Sequence, residues 1–244
     1  MTEKELSQLI NQGHKVTFDN IFQKDFAALM SKVYLWMTFA LLITGFAAFS
    51  VANSVTIVNA MVEHRYVFFG VGIAELALVF ILSSRINRFS LAQATVLFIL
   101  YSLVNGVTMS FVFLAYTQTS IIKVFLVTAV TFGIMAFYGF TTKKDLTSIG
   151  RLFFFGLIGL LIATIVNIFV RSTMLDLLVS YAGVLIFVGL TAWDTQKIKR
   201  MLLEEAQYGG NEHGQKIALL GALSLYLDFI NLFLYLIRIM GNKK

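Results

Sequence analysis

Seven apolar runs, each about as long as a bilayer core is thick, dominate this 244-residue chain and leave it few ways to fold. They cover residues 32–52, 66–82, 91–115, 121–140, 152–170, 175–193 and 217–239. A segment inside hydrocarbon must satisfy its own backbone hydrogen bonds, so only helices or a closed barrel qualify. Barrel strands would be about 10 residues long with alternating polarity, and these runs are continuous. The pattern predicts an all-α membrane protein with seven transmembrane helices, in which 1–31 and 240–244 are short flanking segments and 32–239 is one helical domain. The chain contains no proline, so any kink must come from glycine or an inserted side chain. A 58% hydrophobic and 13% charged composition agrees with this class.

Lys and Arg collect on the cytoplasmic side of membrane proteins. With the N-terminus inside, the inner segments hold Lys4, Lys15, Lys24, Lys32, Arg85, Arg88, Lys143, Lys144, Arg151, Lys197, Lys199, Arg200 and Lys216. The outer loops hold Arg65, Lys123 and Arg171. Seven full crossings then place Arg238, Lys243 and Lys244 outside, whereas a last segment that dips in and returns would keep them inside; the length of the last run favours the crossing. The net charge of +6 follows from topology and needs no nucleic-acid partner. The polar first 30 residues lack the short apolar core of a cleavable signal peptide. They are expected to lie at most along the membrane as a partly amphipathic helix. The loop 195–215 reads as a helical continuation, KIKRMLLEEA, followed by a GGNEHG turn.

Zero cysteines remove disulfides and thiolate chemistry. His14, His64 and His213 sit in separate polar segments without metal-ligand spacing, so no zinc site and no cofactor is expected. The chemistry instead concentrates in acids within the spans. Asp228 lies near the middle of the last run, where a carboxylate costs roughly 2.5–3.5 kcal/mol to insert and usually marks an ion, proton or catalytic site. Asp194 closes the sixth run, and Glu75 sits near the centre of the second. In the last run Gly221, Ser224, Asp228, Asn231 and Tyr235 share one helical face, which is expected to point inward, with Ser224, Asn231 and Glu75 as candidate pathway groups. Stripes at Gly156, Gly159, Ala163 and Asn167, and at Ser102, Asn105 and Met109, read as helix packing. Arg85 is a candidate partner for Asp194. Depth poses a difficulty: Asp194 should sit about 5 Å from the boundary marked by Lys197, and Asp228 roughly 18 Å past Lys216. Contact between the two acids requires tilt, a deeper sixth helix, or a seventh that starts below the membrane.

The strings ALSLYLDFINLFLYLIRI, FVGLTAWDTQKIK, AELALVF and SKVYLWMTFALLITG resemble the Bax inhibitor-1-like, or transmembrane Bax inhibitor motif, family over most of the chain. The resemblance implies a central last helix surrounded by the other six and a pH-sensitive calcium leak of the bacterial type. It also implies paired aspartates at Asp194 and Asp228 as pH sensor, gate and calcium ligands, and an arginine latch most nearly matched by Arg85. The loop between the two acids is longer than in compact bacterial members. The partners so implied are the lipid bilayer, calcium and protons, in a bacterial inner membrane with the N-terminus cytoplasmic. Two carboxylates about 3 Å apart cannot both ionise cheaply, so such a pair shares a proton and acts as a pH switch. An alternative is a non-conducting regulator of a membrane-protein partner, tied to cell survival as relatives are. An intramembrane aspartyl protease also places one Asp on each of two neighbouring spans, but its Gly-x-Gly-Asp and proline motifs are missing, so an enzyme is not expected. A retinal protein fails because the last span has no lysine, and GVGIAE lacks the strand and helix context of a dinucleotide site.

Overall fold

The computed structural model describes residues 3–63, 65–206 and 212–244, with side chains from residue 23 onward apart from 62, 65 and 67–69. His14 and His64, the amphipathic character of residues 1–22 and most of the GGNEHG turn fall outside that description. The described residues form eight α-helices: α1 (Glu3–Ala52), α2 (Val55–Glu63), α3 (Arg65–Arg85), α4 (Leu91–Ala115), α5 (Gln118–Thr141), α6 (Thr147–Val170), α7 (Thr173–Ala206) and α8 (Glu212–Met240), with a 3-10 turn at Ile86–Arg88. Seven are long and apolar enough to cross a membrane, and α2 is a short helix between the first two. The described residues contain no strand beyond an isolated bridge between Tyr116 and Lys243.

Local signals set the helix ends. Ser90 accepts a bond from the Gln93 amide while the Gln93 side chain accepts from the Ser90 amide, a capping box that starts α4. Thr117 caps α5 through Ser120 N. Arg171 ends α6 in the left-handed region at φ 54°, where Asn167 Oδ1 accepts from Ser172 N in the following turn. The helix α7 outlasts its apolar run because Ile198, Leu202 and Ala206, four residues apart, are buried at 0–4% exposure, while Lys197 and Arg200 face out. This bears out the predicted continuation.

Helix α8 is the axis of the bundle. Some 67% of its central window is buried, against 6–33% for the other spans. Helices α1, α4, α5 and α7 pack directly on it, while α3 lies mainly against α4 and α6 against α7, in an outer rank. The outer faces carry the lipid-exposed apolar residues, among them Phe46, Phe80, Leu152 and Phe169. Because α3 and α6 face mostly outward, the encirclement has two ranks, with α1, α4, α5 and α7 covering most of the axis. Glycines allow the closest approaches: a side chain at Gly106 would strike Ala47 and the Thr44 carbonyl of α1, and one at Gly139 would strike the Ala192 backbone of α7.

The chain end settles how α8 runs. Thr117 N donates to Asn242 O at 3.1 Å, Lys244 N to Ala115 O at 3.0 Å, and Lys244 Nζ to Phe113 O at 2.8 Å. The C-terminus therefore sits at the α4–α5 turn, which is the far end of the bundle from the α7–α8 turn. Helix α8 makes a full crossing and does not dip and return.

Candidate functional site

The site forms where α7 and α8 run antiparallel. A side chain at Gly183 would meet the Tyr235 ring and one at Gly221 would meet Ile198, so these pairs face each other across the interface. Interpolating between them puts Asp194 opposite Leu225, one helical turn from Asp228. The two carboxyl groups lie close enough to act on each other electrostatically across the α7–α8 interface. The same register puts Lys216 level with about residue 203, well below Lys197. The seventh helix thus starts deeper on the inner side than the sixth run's boundary lysine, which removes the depth difficulty without tilt.

Asp228 is buried, at 4% exposure, and its Oδ2 has no hydrogen-bond partner. Asp194 is half-buried, and Lys197, one turn along, is the cation that acts on it. Arg85 is exposed at the end of α3 and forms no ion pair with Asp194. Its helix belongs to the outer rank, packed on α4, while Asp194 faces α8. The residues Gly221, Ser224, Asp228, Asn231 and Tyr235 share the face of α8 turned to α7: Tyr235 stacks on Phe187 at 5.8 Å. Asn231 Nδ2 donates to Leu227 O of its own helix at 2.8 Å, and Ser224 is half-buried.

Just below the acids, the α5–α6 turn is tied to α7. Gln196 Oε1 accepts from Leu146 N at 2.9 Å and its Nε2 donates to Lys144 O at 2.8 Å. Arg200 donates to Asp145 at 2.6 Å, to Thr147 Oγ1 at 3.2 Å and to Gln196 Oε1 at 2.7 Å. Lys199 Nζ caps the Phe140 carbonyl at 2.7 Å, close to the end of α5. Hydrogen bonds from Thr147 and Arg200 hold the exposed Asp145 carboxyl well below the usual carboxylate range.

Glu75 lies away from the acid pair. Its Oε1 meets Asn105 Nδ2 and, at 3.3 Å, Thr108 Oγ1 on α4. Asn105 continues through Tyr226 on α8 to Thr44 on α1. Asn105 does bond across helices, as the packing reading of its stripe requires. In the α6 stripe a side chain at Gly156 would come within 3.2 Å of Ile186, but Gly159 faces open space and Asn167 serves the turn instead. Sequence reasoning missed Tyr226 and Thr44 because each looks like an ordinary apolar-helix residue. The signal available was a tyrosine in a fully buried helix, whose hydroxyl must find a partner.

A calcium ion prefers six to eight oxygen ligands, and among the described residues no group of three or more His, Cys, Asp or Glu side chains comes together.

Comparison with known proteins agrees with the fold. Residues 27–244 match the family described as "Inhibitor of apoptosis-promoting Bax1". The chain is 47% identical over 215 residues to the inner membrane protein YbhL of Escherichia coli K12, covering 88% of this chain and 92% of that one. An uncharacterized protein of Rickettsia prowazekii is 42% identical over 227 residues, 91% of this chain and 93% of its own length. One from Borreliella burgdorferi is 41% identical over 215 residues, covering 88% and 92%. A family match over nearly the whole bundle, with relatives of this similarity and coverage, establishes that the chain is an integral membrane protein belonging to the Bax inhibitor-1-like family.

Proposed function

We propose that this protein is a proton-regulated leak pathway for calcium, with Asp194 and Asp228 as sensor and gate. The observation that carries the reading is the buried, unpartnered Oδ2 of Asp228 beside the Asp194 carboxyl on the adjacent helix. A carboxylate left alone in a low-dielectric interior is costly, and two are more so, which favours one proton held between them. Loss of that proton sets two negative charges against each other across the α7–α8 interface and presents hard oxygen atoms to a cation. Acidic groups along a passage favour cations, and Ser224 and Asn231, on the face of α8 turned to α7, are the further polar groups that would line one, whereas Glu75 lies on another side of α8. In this conformation Lys197 is the cation against Asp194. Arg85 would act as a latch only after α3 and α7 approach each other. The ties from Gln196 and Arg200 to the α5–α6 turn would carry movement of α7 to that turn. The lysine and arginine distribution supports a cytoplasmic N-terminus, and the likeness to YbhL supports an inner-membrane location.

Calcium flux from dye-loaded proteoliposomes, measured between about pH 5 and 8, tests this. Native protein is expected to give a pH-dependent flux, and Asp194→Asn and Asp228→Asn to flatten the profile. An unchanged profile in both variants removes the sensor. Absence of flux at every pH together with a defined co-purifying membrane protein supports a non-conducting regulator, and cleavage of a transmembrane peptide without flux supports a protease.

A further inference from the structure

The polar chain on the other side of α8 has more contacts than hydrogens to fill them. Tyr226 is fully buried and lies two residues before Asp228, so it points about 200° away, toward α1 and α4. Its hydroxyl is 2.9 Å from Asn105 Oδ1 and 2.6 Å from Thr44 Oγ1. Thr44 Oγ1 is also 2.9 Å from the Ser102 carbonyl. Asn105 Oδ1 and the carbonyl only accept, so the two hydroxyls, with one hydrogen each, face three contacts. Whichever way they turn, one contact brings oxygen lone pairs together. The far end has the same shortage. Thr108 Oγ1 sits 2.8 Å from Asn105 O, which takes its single hydrogen, so an ionised Glu75 would receive only the Asn105 amide.

One assignment fills every contact of the chain from Glu75 to the Ser102 carbonyl. The two ends of an asparagine amide are told apart by the bonds they make. With the Asn105 amide reversed, a neutral Glu75 donates to its oxygen, its NH2 donates to Tyr226, Tyr226 donates to Thr44, and Thr44 donates to Ser102 O. Each contact from Glu75 to Ser102 then has one hydrogen, and Thr108 keeps its own for Asn105 O, leaving only its longer 3.3 Å approach to Glu75 without one. With Glu75 ionised the chain must run the other way: Thr44 donates to Tyr226, Tyr226 to Asn105 Oδ1, and Asn105 Nδ2 to the carboxylate. The bond from Thr44 to Ser102 O is then lost. We propose that Glu75 is a proton-binding site separate from the Asp194–Asp228 pair, neutral in this conformation, and that release of its proton to water reverses the Asn105–Tyr226–Thr44 chain and unties α1 from α4.

The surroundings favour the neutral acid. Facing Glu75 are Tyr101, Asn105 and Thr108 of α4 and Tyr226 of α8; no cation among the described residues acts on it. The other charged groups on α3 and on the elements packed against it with described side chains, Glu63, Arg85 and Arg88, lie ten or more residues along the chain. An unpaired carboxylate in that position is costly, whereas a neutral acid donates one bond and needs no counter-charge. The tie it controls lies at the α1–α4 close approach, since a side chain at Gly106 would come within 2.8 Å of the Thr44 carbonyl oxygen. This inference does not rest on the acid-pair reading.

Infrared spectroscopy of the full chain in lipid vesicles reads the proton directly. In an Asp194→Asn/Asp228→Asn background at neutral pH, a protonated-carboxyl carbonyl band should remain, disappear with Glu75→Gln, and shift with Tyr226→Phe. Absence of that band, or its survival in Glu75→Gln, overturns the proposal. Should the background variant fail to fold, the difference spectrum of native protein minus Glu75→Gln carries the same band. Melting provides the second readout. A glutamine amide donates to Asn105 as a neutral acid would, so Glu75→Gln should keep the native melting temperature while Glu75→Ala lowers it; equal losses in both would also overturn the assignment.

Discussion

Two glycines on α5 offer a controlled test of the packing that holds the acid-bearing helix. A methyl group at Gly139 would strike the carbonyl oxygen of Ala192 and lie 2.8 Å from its carbonyl carbon and 2.9 Å from its Cα, whereas one at Gly133 meets nothing within 4 Å. Both residues sit inside the same helix, so Gly→Ala gains about the same helix propensity at each, up to ~1 kcal/mol. The difference between the variants therefore isolates the collision. The obstacle at Gly139 is backbone, which cannot rotate away, so α5 and α7 must separate; overpacking of this kind costs about 1–3 kcal/mol. Gly133→Ala should unfold at or above the native denaturant midpoint, and Gly139→Ala below it, with about 1–3 kcal/mol between them. The assay is reversible unfolding in mixed micelles, followed by circular dichroism. Ala192 lies two residues before Asp194, so Gly139→Ala should also alter the pH profile of calcium flux, and Gly133→Ala should not. Equal stability of the two variants would refute the close approach of α5 and α7 on which this reasoning stands.

Other consequences can be checked independently. Gln196→Ala leaves the Leu146 amide without its partner, and loss of a bond to a buried donor costs about 1–3 kcal/mol; hydrogen exchange should rise over residues 142–147 and not in α4. Asp145→Asn should remove a small acid-side dependence of stability: the folded carboxyl lies below its unfolded range, so its contribution is present above the unfolded value and lost as pH falls. Melting temperatures of native and variant protein should therefore converge on acidification. Adding an aromatic residue at Gly159, which faces open space, should leave stability and flux unchanged, whereas the same substitution at Gly183, against the Tyr235 ring, should disrupt both. Equal tolerance at the two positions would contradict the α7–α8 register.

Much of the fold was legible in the chain because the bilayer imposes a length and a polarity that do not depend on tertiary partners. The runs at 91–115 and 121–140 end within a few residues of α4 and α5 for that reason. The continuation of α7 was legible too, since Ile198, Leu202 and Ala206 repeat at helical spacing. The stripe from Gly221 to Tyr235 was visible for the same reason, and it does face α7. What lay beyond reading were pairings between distant helices. Lys216 marks a polar residue, but how far α8 extends below Lys197 depends on how α7 and α8 slide past each other, and only Gly183 against Tyr235 and Gly221 against Ile198 set that register. Arg85 was placed near Asp194 by depth and by the family resemblance; depth carries no information about the angle around the bundle, and α3 packs on α4 instead.

By itself the sequence determined that this chain spans a membrane as seven helices, that acids lie within the spans, and that no cysteine is there to join them. Hydropathy and periodicity decide those matters, because transfer of a helix into hydrocarbon depends on its own side chains. The tertiary structure decided that α8 is the axis, that its end returns to the α4–α5 turn, that Asp194 and Asp228 meet, and that Glu75 reaches Thr44 through Asn105 and Tyr226. A leucine facing lipid and one facing another helix have the same hydropathy, so the rotation and register of each helix are set by close approaches at residues such as Gly106 and Gly139 and by hydrogen bonds whose partners lie as many as 182 residues apart.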